Sequence, residues 1–366
     1  MKYPVFKPSI TDSDKESVIN CLEEGWISSA GPYVSEFEEN FSKFLGAKYS
    51  ISVSSGTAAL EVALASIGID SGEVILPSFT IASCAYAIQK VNAKPVFVDI
   101  DPDYLSINPD EVEAKINKNT KAIMIVNMYG NTCDVDKFLE IRKKYKIPII
   151  EDCSENLGGQ YKNKFSGTQF DISTFSLYAN KTITSGEGGI ICTSNEKTKN
   201  AAIRYRNLDF KGNRNFTHEK KAFNYRLTSP QCALANNQLR RINEILSKKD
   251  LIYQNYIDNL NSEKITPIKG RPNTRFVPWM NCFKVSPSVN FNFSDFYTYM
   301  IENEIQVRPF FSSLANQEAF KNNCKEETKF PNSQSYEKNG FYLPSSLELS
   351  KDDISFIMKI VNNYFN

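Results

Sequence analysis

Seven short apolar runs alternate with helical patterns between residues 50 and 192, and this rhythm restricts the fold of the 366-residue chain more than any other feature. The runs have the length of strands, and the patterns between several of them, such as 58–67 and 135–145, have the period of helices. Such alternation predicts an α/β domain with a largely parallel sheet, whose ligands bind at the carboxyl ends of the strands. The runs are residues 50–53, 74–76, 95–98, 122–126, 148–150, 173–177 and 190–192.

The composition and the hydrophobic pattern of the sequence change near residue 238, where longer helical patterns and loops rich in lysine and asparagine begin. We therefore predict two domains, as the length of the chain also favours. The large α/β domain covers residues 13–237. The smaller C-terminal α/β domain covers residues 238–366 together with 1–12, and we expect strands in it at 280–285 and 305–307.

Charge and composition narrow the classes of function. The 43 basic and 42 acidic residues nearly cancel and form no long block of one sign, which argues against nucleic-acid or membrane-surface partners. The N-terminal MKYPVFKPSI does not resemble a signal peptide, and no apolar run is long enough to insert into a membrane. Eight isolated cysteines, including Cys324, are typical of small core residues in a reducing compartment, so we expect a cytoplasmic protein. The single histidine, His218, excludes a multi-histidine metal site, and no metal is predicted.

The stretch DISTFSLYANKTITSGEGGI, residues 171–190, places Lys181 between a strand pattern and a glycine-rich turn. Glycines there permit close approach of the backbone to a ligand. A lysine that is desolvated at such a place can lose its proton and attack a carbonyl as a Schiff-base nucleophile. The alternative is a surface lysine before a hairpin, which is the more common case for a lone lysine in a loop. The residues at the other strand ends favour the catalytic interpretation.

Two other strand ends carry groups that suit the same cofactor. After residue 53 the SSGTAAL turn enters a helix, where the amides of Thr57 and Ala58 and the helix dipole can hold a phosphate. Asp152 follows a buried run and can pair with a protonated ring nitrogen, and Ser176 can add a hydroxyl to the phosphate site. A phosphate cradle, a carboxylate and a lysine in this order are what pyridoxal 5′-phosphate (PLP) requires.

On these residues the chain resembles the PLP-dependent sugar aminotransferases of the DegT/DnrJ/EryC1/StrS family, over nearly its full length. The resemblance implies the fold of type I PLP-dependent transferases, which is aspartate aminotransferase-like. Within the family the chain resembles most the GDP-perosamine synthase branch, which aminates a nucleotide-linked 4-keto-6-deoxyhexose. The matching stretches are GWISSAG (25–31), SSGTAAL (54–60), LPSFTIAS (76–83), AKPVFVDID (93–101), EDCSENLG (151–158), TFSLYANKTITSGEGG (174–189), FNYRLT (223–228), QVRPFF (306–311) and LPSS (343–346).

The resemblance implies an active site that is shared between the subunits of a homodimer. Lys181 would carry PLP covalently and then act as acid and base, with pyridoxamine phosphate (PMP) as an intermediate. Asp152 would pair with the pyridine nitrogen, and Glu155 would lie near the ring or its 3-hydroxyl. Asn224 would reach the cofactor phosphate of the neighbouring subunit. The phosphate itself would be bound by Gly56, Thr57, Ala58 and Ser176.

The reaction that the resemblance implies moves an amino group from L-glutamate to the C4 ketone of a nucleotide-linked 4-keto-6-deoxyhexose, for O-antigen or another surface glycan. Two alternatives stay open on the sequence. The acceptor can be a 3-keto sugar or a UDP- or dTDP-linked 4-keto sugar, or the chain can be a PLP-binding regulator without turnover. Intact Lys181, Asp152 and Glu155 weigh against the regulator.

Substrate residues are predicted from charge and from position in the motifs. Arg308 is a candidate for an anionic group, because a guanidinium pairs bidentately with phosphate or carboxylate. His218 lies in a stretch rich in arginine, asparagine and lysine, and a loop histidine without a catalytic role is an equal alternative. Trp26 and Ser28 of the GWISSAG stretch are two further candidates. Ile81 stands where many relatives have an aromatic residue over the cofactor ring, so we expect ring stacking to be weaker or supplied by another group.

Overall fold

The computed structural model describes residues 1–210, 216–323 and 329–366, and their strands form three sheets. Strands β1 to β14 are Tyr49–Val53, Glu73–Pro77, Lys94–Val98, Thr120–Val126, Ile149–Asp152, Gln160–Tyr161, Lys164–Phe165, Ile172–Ser176, Gly189–Thr193, Ile265–Pro267, Thr274–Arg275, Asn281–Val285, Arg308–Pro309 and Gly340–Leu343. Helices α1 to α12 are Asp12–Glu23, Pro32–Leu45, Gly56–Ser66, Ala82–Lys90, Pro109–Lys115, Val135–Tyr145, Glu196–Arg206, Ser229–Arg240, Ile242–Asp258, Phe293–Glu302, Pro331–Asn339 and Lys351–Phe365.

The main sheet has seven strands in the order β1-β9-β8-β5-β4-β2-β3. Each of them contains most of one apolar run of the sequence, so the strands of the predicted α/β domain are confirmed. The pairs β2–β3, β2–β4, β4–β5 and β5–β8 are parallel, and β9 runs antiparallel to both of its neighbours. A mostly parallel sheet with helical crossovers is the architecture that the alternation of patterns predicts.

Helix α3 is buried within the main core, and its sequence explains why. Ala58 through Ala65 are all buried, and the helix is apolar on every side, as a helix without a solvent-facing stripe must be. The exception is the buried Glu61, whose carboxylate accepts a hydrogen bond from the Tyr225 hydroxyl at 2.7 Å. Burial fixes the helix against the sheet, and so it fixes the position of the N-terminus of α3 at the sheet edge.

The C-terminal part of the chain forms a separate antiparallel sheet in the order β10-β12-β14-β13. A phenylalanine-rich core that includes Phe283, Phe296 and Phe341 packs between this sheet and the helices α10 and α12. The N-terminus contacts the same unit, since Tyr3 forms a parallel bridge with Ile305 and its hydroxyl donates to Asp353 at 3.1 Å. The domain boundaries of 13–237 and 238–366 stay a prediction.

The strand predicted at 280–285 is found as β12, whereas the strand predicted at 305–307 is wrong in its position. In that segment Ile305 makes an isolated bridge to the N-terminus, and the paired strand β13 begins only at Arg308. Backbone pairing across the chain therefore shifted the strand by a few residues relative to its apolar pattern.

All cysteines of the described residues are buried with free thiols, and Cys324 lies outside those residues. Within the ranges that the structure describes, no helix is both long and apolar enough to cross a membrane. In the same ranges, no group of three or more His, Cys, Asp or Glu side chains is placed to hold a metal ion.

Candidate active site

Several strands of the main sheet end at one edge, and a cavity of about 410 Å³ opens there. The register pairs Val53 with Gly189 and Gly189 with Ser176, and it pairs Val126 with Asp152. The carboxyl ends of β1, β4, β5 and β8 and the start of β9 therefore meet. Residues from these ends, from the N-terminus of α3 and from the C-terminal segment line the cavity. This is the position that the ligand rule for parallel sheets predicts.

The N-terminus of α3 faces the cavity at one end. Gly56, Thr57 and Ser176 line the cavity there, and the structure brings these three predicted residues together. The first amides of a helix have no acceptor within the helix, but the amide of Ala58 donates to Ser55 Oγ at 3.0 Å as part of an N-cap. Ala58 is buried behind the cavity wall, and its role at a phosphate stays a prediction.

Two glycines let the strand ends approach this helix terminus closely. A Cβ atom added at Gly56 would lie 2.9 Å from Cβ of Ser176. A Cβ atom at Gly189 would overlap the carbonyl oxygen of Ser55 and lie 2.7 Å from its carbonyl carbon. The two glycines are therefore needed to bring the hydroxyl of Ser176 beside the amides of the first helical turn. Such a cradle of amides and a hydroxyl at a helix N-terminus fits a phosphate group.

Gly189→Ala is expected to weaken both stability and cofactor binding. The added methyl group must displace the backbone of Ser55, and overpacking of this kind costs about 1–3 kcal/mol of unfolding free energy. The displaced loop carries the phosphate cradle, so we expect an increase of at least about tenfold in the Kd of PLP, which corresponds to about 1.4 kcal/mol. Thermal unfolding and a titration with PLP measure the two effects.

Gly46→Ala is the control for that substitution. Gly46 ends α2 with φ of +76°, has open space around its Cβ position and does not line the cavity. Backbone strain alone should lower the stability there by about 1 kcal/mol and leave the affinity for PLP unchanged. An unchanged Kd in the Gly189→Ala protein would contradict the placement of the phosphate cradle.

Asp152 ends β5 inside the cavity, and only 2% of its surface is exposed. Its Oδ1 accepts hydrogen bonds from the amide of Ser154 at 3.0 Å and from the Ser154 hydroxyl at 2.6 Å. The thiol of Cys84 donates to Oδ2 at 3.5 Å. The two donors from Ser154 fix the orientation of the carboxyl group. A carboxylate fixed in this way at a cavity wall suits a protonated ring nitrogen.

Lys181 projects into the same cavity from the loop after β8, and its side chain is 10% exposed. Its Nζ lies 3.4 Å from Oε1 of Glu155, whose Oε2 accepts from the amide of Tyr129 at 2.9 Å. Burial raises the pKa of Glu155, and the charge of Lys181 opposes that rise. Tyr129 has φ of +50°, an uncommon conformation for a bulky residue, within the turn that directs its amide to Glu155. The predicted lysine and both predicted carboxylates thus surround one space.

Trp279 is a cavity residue that the sequence analysis missed. Its ring centroid lies 4.1 Å from Lys181 Nζ, and its ring stacks near Tyr129 with centroids 6.0 Å apart. Its indole N–H donates to the carbonyl oxygen of Asn180 at 2.7 Å. The contact between Lys181 and Trp279 joins segments that are distant in the chain, so no local pattern indicates it. The sequence signal near it is the strand predicted at 280–285, which begins directly after this tryptophan.

The other predicted residues are distributed around the cavity or away from it. Ile81 lines the cavity and is 41% exposed. Arg308 is exposed and pairs with the cavity residue Tyr342 between β13 and β14. Asn224 is exposed and does not line this cavity, although the adjoining carbonyl of Tyr225 accepts from the amide of Ser54 at 2.9 Å.

Three substrate candidates are not brought to the cavity of this chain. His218 is exposed, and its Nδ1 lies 2.6 Å from the carbonyl oxygen of Leu208. Trp26 is exposed, and the carbonyl of Ser28 accepts hydrogen bonds from Ser229. The structure therefore groups the predicted cofactor residues other than Ala58 and Asn224, but it does not group the predicted substrate residues.

The donor set of the cavity fits PLP, because a phosphate cradle, a fixed carboxylate and an amine stand at one sheet edge in the order the cofactor needs. The mostly parallel sheet and the residues at the carboxyl ends of its strands are those of the fold-type-I, PLP-dependent transferases. It belongs to the DegT/DnrJ/EryC1/StrS aminotransferase family, whose model matches residues 8–362.

Named relatives agree with the family. The chain is similar to the GDP-perosamine synthase of Vibrio cholerae, with 34% identity over 99% of both chains. It is also similar to the GDP-perosamine synthase of Escherichia coli O157:H7, with 33% identity over 100% of both chains. Its fold is similar to that of Spr1654 from Streptococcus pneumoniae in the PMP form, with a TM-score of 0.93, 24% identity and coverage of 98% of this chain and 96% of that one.

These findings confirm the predicted fold class, the predicted PLP cofactor and the predicted enzyme class, a PLP-dependent sugar aminotransferase. The relatives do not favour the alternatives, which were a 3-keto sugar, a UDP- or dTDP-linked sugar and a regulator without turnover.

Proposed function

We propose that this enzyme transfers the amino group of L-glutamate to the C4 ketone of a GDP-linked 4-keto-6-deoxyhexose, as a GDP-perosamine synthase does, for O-antigen or another surface glycan. The observation that carries the proposal is the similarity to two GDP-perosamine synthases, at 34% and 33% identity over essentially the whole of each chain. Full-length similarity supports a shared substrate class because it includes the segments around the cavity as well as the sheet.

The proposed mechanism assigns a task to each group at the sheet edge. When bound, PLP supplies a ring that accepts electrons from the carbon that carries the amino group. Lys181 Nζ would act as the base that removes the proton from that carbon and as the acid that returns a proton later in the transfer. The carboxylate of Glu155, 3.4 Å from Nζ, orients the amine and balances its charge. Asp152 would pair with the ring nitrogen of the cofactor. Gly56, Thr57 and Ser176 would hold the phosphate, and a contribution from Ala58 would require its amide to leave Ser55 Oγ.

A second set of tasks concerns the substrate and the partner subunit. Arg308 stands at strand β13 beside the cavity residue Tyr342, and this position supports the binding of an anionic group of a substrate there. Asn224 is exposed outside this chain's cavity, which supports a role at the phosphate of a second subunit. His218, Trp26 and Ser28 also lie away from this cavity, so a substrate role for them requires the site of the partner. We therefore propose a homodimer with shared active sites.

We also propose that the protein is cytoplasmic and that it binds neither nucleic acid nor membranes.

The substrate is tested with a panel of 4-keto-6-deoxy sugars linked to GDP, UDP and dTDP, with glutamate as the donor. We expect kcat/KM for the GDP sugar to exceed that of the other two by at least about tenfold, because polar contacts to the base are left unpaired by the wrong nucleotide. Mass spectrometry of the amino sugar measures the product. Equal turnover of all three nucleotides, or turnover of a 3-keto sugar alone, would contradict the proposal.

A further inference from the structure

We propose that Trp279 is a positioning residue for Lys181, which holds the ammonium of the lysine beside Glu155 through the face of its indole ring. Two contacts define the position of Nζ in the structure. One is the carboxylate of Glu155 at 3.4 Å, and the other is the ring centroid of Trp279 at 4.1 Å. A cation over an indole face is attracted by the ring quadrupole, and tryptophan is the best of the aromatic residues in this respect.

The ring of Trp279 is itself fixed from several directions. Its indole N–H donates to the carbonyl of Asn180, the residue before Lys181, at 2.7 Å. One face stacks near Tyr129, whose amide donates to Glu155. The same set of contacts therefore orients both partners of the ion pair. A ring held in this way cannot turn aside without breaking a hydrogen bond to the lysine loop.

Lys249 contacts the backbone of Trp279. This lysine of α9 is 3% exposed, and its Nζ donates to the carbonyl oxygen of Trp279 at 3.1 Å. Burial lowers the pKa of Lys249 to about 8. Burying an ammonium costs free energy unless the group is hydrogen-bonded. The hydrogen bond from Lys249 to this carbonyl therefore indicates that Lys249 holds the backbone of Trp279 in place. We assign Lys249 a positioning role that acts through Trp279.

The cavity holds other groups that act on the charge of Lys181. Glu155 attracts the ammonium directly at 3.4 Å, and the other carboxylates that line the same space add to the negative potential. The apolar wall opposes them, because desolvation disfavours a charge. The indole ring of Trp279 is part of this apolar wall, and its face still stabilises a cation. The titratable residues besides Lys181 that line the cavity are Asp152, Glu155, Tyr178, Glu187 and Tyr342.

The inference rests on the proposed role of Lys181, and its test uses the protein without PLP and without sugar. An amine-specific acylating reagent is applied over a range of pH, and the labelling of the Lys181 peptide is followed by mass spectrometry. Removal of the ring in Trp279→Leu should free the neutral amine at lower pH. We expect the midpoint of labelling to fall by about 0.5–1 pH unit, the size of a partly shielded cation–π contact. Trp279→Phe should shift the midpoint in the same direction by less.

Two further variants separate positioning from general loosening of the fold. Phe276→Leu alters the same segment at a ring that packs on Tyr253, with centroids 5.4 Å apart, and it should leave the midpoint unchanged. Lys249→Met should lower the midpoint by less than Trp279→Leu and add nothing in the Trp279→Leu background, because the two residues act in series. If Trp279→Leu does not fold, the comparison of Trp279→Phe with the wild type decides.

The outcomes separate this inference from the proposed reaction. A midpoint that is unchanged or raised in the Trp279 variants overturns the inference, whatever sugar the enzyme uses. A lowered midpoint with no turnover of any GDP sugar supports the positioning role and contradicts the proposed substrate. Additive shifts in the double variant would overturn the role of Lys249 and leave that of Trp279 in place.

Discussion

Replacement of Lys181 by alanine is expected to lower kcat/KM for amino transfer by about 10³–10⁴-fold or more. In the proposed mechanism this amine moves the proton, and a positioned acid–base group contributes about 10²–10⁴. The lysine is also the proposed attachment point of PLP, so the loss of covalent anchoring adds to the effect. The formation of 2-oxoglutarate from glutamate measures the rate, and the visible absorbance of the protein after addition of PLP measures attachment.

The matched control is Lys90→Ala, which removes an exposed lysine at the end of α4. It should keep the absorbance and the rate of the wild type. A Lys181→Ala protein that retains more than about a tenth of the wild-type rate would be incompatible with the proton transfer assigned to this residue. The half-reaction with glutamate needs no sugar, so this result does not depend on the identity of the acceptor.

Asp152→Asn is expected to have the second largest effect, a loss of about 30–5,000-fold in kcat/KM. The amide keeps the shape of the side chain but lacks the charge that holds a proton on the ring nitrogen. Truncating one partner of a buried, charged pair costs about 2–5 kcal/mol, and each 1.4 kcal/mol is a factor of ten. Single-turnover kinetics with glutamate measure the step.

Two comparisons make the Asp152 result specific. Asp136→Asn makes the same change at an exposed aspartate that pairs with Lys162, and it should leave the rate unchanged. Asp152→Glu keeps the charge but displaces it by about the length of one methylene group, and it should fall between Asn and the wild type. If Asp152→Asn and Asp136→Asn were equally active, Asp152 would have no role at a ring nitrogen.

The local patterns of the sequence were sufficient to predict the strands of the main sheet and the order of the chemical groups at their ends. Strand runs such as 122–126 and 173–177 are short apolar segments, and their pattern extends over only a few consecutive residues. They can therefore be recognised without knowing which strands lie next to them in the sheet. The same applies to the turn at Gly56, because a helix start is encoded within one turn of the chain. Asp152 ends its strand and Lys181 lies in the loop after its strand, and the rule for parallel sheets then places both at one edge.

Side chains that approach the cavity from distant segments could not be predicted in this way. Trp279 reaches Lys181 only because the C-terminal segment folds back over the edge of the main sheet. The displacement of a predicted strand from 305–307 to Arg308–Pro309 has the same origin, since its pairing partner is β14. Such contacts depend on the path of the whole chain and leave no periodic trace in the sequence.

The sequence by itself determined which strands form the main sheet and which residues stand at their ends, because both follow from local periodicity and a general rule for parallel sheets. Only the tertiary structure decided that His218 and Trp26 lie away from the cavity and that an indole ring faces the lysine. These are outcomes of packing between elements that are remote in the chain. Their geometry is fixed by the burial of whole surfaces, which no short stretch of residues encodes.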